Sequence, residues 1–165
     1  MTPARANSLK LSVAVLLLGI SAALVWRFAH ANDGISERAF FYDLSEKKLF
    51  VAERGLVPPI RGINDDAADG VRAVVVSPNG RPEDKGTWTI AYLETSTPEL
   101  KRQLDAARAA GTAPEISRTA AQALRLVRRE KDTDWVSVVS TEGERIVTEW
   151  ASGGSGDTAP TVVSP

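Results

Sequence analysis

The sequence predicts an α+β protein in which one N-terminal transmembrane helix precedes a small, mostly antiparallel sheet with two helices. Three observations lead there. An uncharged apolar run, Leu11 to Trp26, stands between Lys10 and Arg27. Short aromatic and β-branched runs separated by turn residues follow it, the pattern of strands in an antiparallel sheet. Thr97-Pro98-Glu99 then opens a helical stripe with an N-terminal cap, a first-turn proline and a dipole-matched acid.

The apolar run sets the expected organisation. Its 16 uncharged residues would rise roughly 24 Å as a helix, short of a ~30 Å hydrocarbon core. Lys10 and Arg27 can extend their stems to the interface and lengthen the span, and Trp26 suits an interfacial belt. The expected layout is a cytoplasmic tail over 1–10, a signal-anchor helix over 11–31, a linker over 32–37, an extracytoplasmic α+β domain over 38–150 and a disordered tail over 151–165. The membrane is thus the expected integral, single-span partner, with the C-terminal domain presented outside the cell membrane of a bacterium. A rival reading treats Arg5 and Lys10 as the basic part of a signal peptide cleaved after Ala29-His30-Ala31. The product would then be an exported, periplasmic domain.

Composition narrows the chemistry. Three of the twenty basic residues (Arg5, Lys10, Arg27) precede residue 28, which leaves seventeen against twenty-one acids. A mildly acidic domain without a basic stripe argues against nucleic-acid binding. The chain has no cysteine, so disulfides, thiolate metal sites and cysteine nucleophiles are excluded. Its one histidine, His30, lies beside the apolar run, so the domain has no imidazole base and no Ser-His pair. No cofactor and no catalytic residue are expected, and the domain is not expected to be an enzyme.

Along the domain, Arg38 to Val51 reads as a hairpin around Ser45-Glu46-Lys47-Lys48. Pro58-Pro59 marks a connection or sheet edge. Val71 to Val76 is a buried strand, and Thr87 to Leu93 another with Trp88, Ile90 and Tyr92 on one face. The helix from Thr97 turns Leu100, Leu104 and Ala107 inward and stops at Gly111. A second helix starts around Thr112, Pro114 and Glu115 and ends near Ala123. Over 124–130 helix and strand compete, and the strand is favoured. Trp135 to Ser140 and Arg145 to Trp150 read as the last two strands, turning at Glu142-Gly143.

Few residues promise chemistry. Asp65, Asp66 and Asp69, with Asn64, form the only weak candidate for a metal, and the spacing of an EF-hand loop is missing. Ser77, Ser137 and Ser140 are candidates for a Ser-Lys pair, but none lies in a G-x-S-x-G elbow. Arg118, Arg125, Arg128, Arg129 and Lys131 form the densest basic cluster, interleaved with Glu130, Asp132 and Asp134, as in a solvated, ion-paired face. Pro58, Pro59, Trp88, Trp135 and Trp150 are the candidates for contact with an envelope protein partner, although aromatics in so small a domain more often form the core.

The strings FFYDLSEKKLFVAERGLVPPIRGI, DGVRAVVVS and IAYLETSTPELKRQL resemble a group of small uncharacterised bacterial proteins of planctomycete type. The similarity runs from about Ala39 to Val136 and implies a single membrane helix ahead of a compact domain. It also implies a strand around Leu126-Val127-Arg128-Arg129. It supplies no reaction. The function expected from the sequence is therefore interaction with envelope partners, or, after cleavage near Ala31, small-ligand binding or carboxylate-based catalysis.

Overall fold

Alternating aromatic and aliphatic residues build the first hairpin, and everything else packs against the sheet it begins. The structure, a computed structural model, describes residues 17–27, 36–64, 66–154 and 158–165. The chain divides into two units, Met1–Ser36 and Glu37–Pro165.

In the first unit, helix α1 is described over 17–27. Its eleven described residues rise about 16 Å, roughly half the hydrocarbon thickness. No helix among the described residues is long and apolar enough to cross a membrane. The expected transmembrane helix over 11–31 and its signal-anchor role are corrected on this finding: the eleven residues described as helix cover only about half of a span, and 11–16 and 28–31 lie outside the described residues. Trp26 and Arg27 are the last described residues of α1, while Lys10, His30 and residues 32–35 of the expected linker lie outside the described residues.

The second unit is an α+β domain. Its strands are β1 (Arg38–Asp43), β2 (Lys48–Glu53), β3 (Gly70–Ser77), β4 (Thr89–Ser96), β5 (Arg125–Arg128), β6 (Val136–Ser137) and β7 (Thr161–Val163). They form one sheet in the order β2-β1-β3-β4-β5-β6, with β7 also on β3, and every pairing is antiparallel. Three helices accompany it: α2 (Pro98–Ala110), α3 (Arg118–Ala123) and α4 (Thr141–Glu149). The domain thus has three α-helices where two were expected, and with α1 the described α-helices number four.

α2 follows its sequence signals closely. Thr97 accepts a hydrogen bond from the Leu100 amide, Pro98 opens the first turn, and Gly111 ends the helix at φ 64°, a left-handed conformation that glycine adopts freely. Leu100 and Ala107 are its buried residues. α3 starts later than Pro114 implies, because Ser117 caps it through the Ala120 amide.

Three expectations fail for identifiable reasons. Arg145 to Trp150 is helical, since Ser140 caps α4 at the Gly143 amide, with Glu142 and Glu144 in the first turn. The residues beyond 151 are not all tail: Thr161–Val163 pairs with Val75–Ser77, and Val163 is buried in the core. Tyr92 leaves the face of Trp88 and Ile90, because the β3–β4 register shifts between Val74 and Val75 and leaves Ala91 as an extra residue.

One face of the sheet carries the main core: Phe40, Tyr42, Val71, Ala73, Val75, Leu93 and Val163, with Trp88, Ile90 and Trp135 against it. The opposite face carries a register-aligned row across six strands, Phe50–Phe41–Arg72–Glu94–Val127–Val136. Two charged residues, Arg72 and Glu94, stand in the middle of that apolar row.

Candidate functional site

Directly opposite residues of an antiparallel pair share a face. Arg72 lies opposite Glu94, and Ser96, two residues further along β4, lies opposite Arg125. Register alone therefore brings Arg72, Glu94, Ser96 and Arg125 together. α2 packs on β4 and α3 on β5, and the 54–58 segment supplies the remaining wall. The result is a cleft of about 330 Å³. Its polar side is Arg54, Arg72, Glu94, Thr95, Ser96 and Arg125. Its apolar side is Leu56, Val57, Pro58, Leu100, Leu104 and Ala121.

The two central arginines differ in their partners. Arg125 Nη2 sits 2.9 Å from both carboxylate oxygens of Glu94, and Nη1 donates to Gln122 Oε1 at 3.2 Å. Arg125 is committed. Arg72 donates through Nη2 to the backbone carbonyls of Arg54 and, at 3.2 Å, of Leu56. Its guanidinium carbon stands 5.2 Å from the centroid of the Phe41 ring, a favourable cation–π placement. Among the described residues no carboxylate forms an ion pair with Arg72. Burial holds its pKa below the ordinary arginine value, with the nearby charge of Glu94 acting in the opposite sense. An arginine keeps its proton under such a shift, so the cleft contains a half-buried cation with unused Nε and Nη1 donors.

Neighbouring groups reinforce the setting. Lys101 Nζ donates to the Val57 carbonyl at 2.9 Å and tethers the wall segment to α2. Tyr92 precedes Glu94 by two residues on the same side of β4, and burial pushes its phenol up to about 12. The Pro58–Pro59 bond is cis.

The residues singled out by sequence are dispersed. Pro58 is buried and lines the cleft, with Pro59 next to it. Trp88 makes an edge-on contact with Phe40 at 5.6 Å, and Nε1 donates to the Pro82 carbonyl. Trp135 lies 4.6 Å from the Arg128 guanidinium, whose Nη1 donates to the Asp132 and Thr133 carbonyls. Trp150 donates to the Val147 carbonyl from a 3-10 turn after α4. All three tryptophans are half-buried, and each contacts a different part of the domain.

The serines are structural too. Ser77 Oγ donates to the Arg81 carbonyl, Ser137 Oγ to that of Ala123, and Ser140 Oγ to that of Ser137. In the basic cluster, Arg129 binds Asp132, Glu142 and Glu149, fastening β5 to α4. Its pKa is raised by those carboxylates, Glu149 first.

The described part of the acidic loop spreads its carboxylates over different partners. Asp65 lies outside the described residues, Asp66 is exposed and pairs with Arg61 at 2.7 Å, and Asp69 accepts from the Ser45 amide at 3.2 Å. Among the described residues no group of three metal-ligating side chains occurs. The carboxylate beside Asp69 is instead Asp43, fully buried and holding the Ser45, Glu46 and Ile63 amides.

Arg72 and Glu94 escaped the sequence reading because each sits inside a run that reads as a plain strand. The signal was present as one charged residue inside GVRAVVV and another inside IAYLETS. No family model, curated protein or solved structure matches this chain.

Proposed function

We propose that the Glu37–Pro165 domain binds a small organic anion, a monocarboxylate with a short apolar body, in the cleft between the sheet and α2. Arg72 carries this reading: a half-buried guanidinium without a carboxylate partner, its Nη2 held by backbone carbonyls, keeps Nε–H and Nη1–H as separate charged donors for an incoming one. Leu56, Val57, Leu100 and Leu104 offer a wall for the apolar body. Glu94 limits the net charge of the site and disfavours a dianion.

The test is calorimetric titration with linear monocarboxylates of increasing chain length against the wild type, Arg72→Gln and Arg72→Lys. A charge-assisted hydrogen bond contributes about 1.5–3 kcal/mol, so Arg72→Gln should weaken binding roughly tenfold to a hundredfold. Arg72→Lys should restore part of the affinity. Absence of heat with every acid, or equal affinity in the wild type and Arg72→Gln, sinks the proposal.

A further inference from the structure

β2 is the outer strand of the sheet, and among the described residues its only ladder partner is β1. Arg54 N donates to Glu37 O at 2.8 Å, in step with the Phe41–Phe50 pair. The even-numbered residues of β2 therefore turn their backbone groups toward β1, and Leu49, Val51 and Glu53 turn theirs outward. Leu49 and Val51 also share one sheet face and remain 40 % and 38 % exposed. An edge with apolar side chains and no proline or bulge is a template for another strand.

The charges on this edge say which strand. Lys47 lies in the turn just before β2, at φ 53°, and Glu53 at the end of the strand, so opposite charges flank the segment and meet when it is set against its own reversed copy. We infer that two copies of this chain pair antiparallel through β2, on a two-fold axis at Phe50. Leu49 of each copy then lies opposite Val51 of the other, and Glu53 beside the turn that carries Lys47. A parallel arrangement would set lysine against lysine, and an unrelated strand would have to match both the apolar pair and the two end charges. Glu53 keeps its pair with Arg108 and takes the lysine as a second cation. The contact is isologous, as closed dimers require.

The experiment is sedimentation of the full chain, combined with thiol cross-linking that the absence of native cysteine makes clean. Residues 50 of the two copies would form a non-hydrogen-bonded pair with Cα atoms about 4.5 Å apart, within disulfide reach. Phe50→Cys should link under mild oxidation. Ala52→Cys should not, because its two copies stand roughly 13 Å apart. Val51→Lys, which places a charge against Leu49 twice, should raise the dimer dissociation constant about tenfold or more while leaving the monomer folded. A monomeric wild type overturns the inference. So does a dimer indifferent to Val51→Lys, or one in which Ala52→Cys links and Phe50→Cys does not.

Discussion

Arg125 grips Glu94 with a single nitrogen, Nη2 lying 2.9 Å from each carboxylate oxygen, while Arg72 stands opposite the same glutamate in register and forms no ion pair with it. Among the described residues Glu94 is the sole acid lining the cleft. Glu94→Gln should therefore tighten carboxylate binding about fivefold, equivalent to ~1 kcal/mol of relieved repulsion. It should also lower stability by only about 1 kcal/mol, because Arg125 is partly solvated. Calorimetry and urea denaturation measure the two effects separately. Weaker binding would mean that Glu94 orients the ligand rather than opposing it.

Gly143 is buried in the first turn of α4 against the end of β6. A Cβ there would lie 2.0 Å from the Ser137 carbonyl oxygen and 2.9 Å from Val138 Cα. Replacing glycine by alanine within a helix ordinarily stabilises by roughly 0.5–1 kcal/mol. Here the sign reverses, since backbone must move: Gly143→Ala should destabilise by about 1–3 kcal/mol. An unchanged or higher urea midpoint would show that α4 does not start against that carbonyl.

The Asp43 carboxylate lies well below the ordinary range, held chiefly by the Glu46 amide and next by that of Ile63. A depressed folded value means that its stabilisation is complete above the unfolded value of 3.8 and fades as pH falls through the folded one. The urea midpoint should drop steeply below about pH 4. Asp43→Asn, whose amide meets backbone donors with a donor of its own, should melt about 5 °C or more lower at neutral pH. It should also lose part of the acid-side slope. An identical slope in both proteins would remove Asp43 as its source.

Local signals carried the sequence reading where they were self-sufficient. Thr97, Pro98, Glu99 and Gly111 define α2 within a few residues, and the hairpin from Arg38 follows from alternation alone. RIVTEW alternates like a strand, yet the cap at Ser140 and the close approach of Gly143 to Ser137 make it helical. TVV has no helical or strand context of its own and becomes β7 only because β3 has a free edge beyond β1. The apolar run invited a membrane span, but the helix described there does not reach that length. The cleft was illegible for a different reason. Arg72, Glu94 and Arg125 belong to three strands, and only the register of β3, β4 and β5 puts them on one wall.

The β7–β3 ladder joins Val163 to Val75 across most of the domain's sequence. Loop closure over such a separation is entropically unfavourable, and three short pairs do little to offset it. This strand should therefore be among the first parts to open and the last to dock. Amide exchange would register that as a fast-exchanging edge beside a slowly exchanging β3–β4 centre, so the native ensemble includes molecules whose central strand is briefly unguarded.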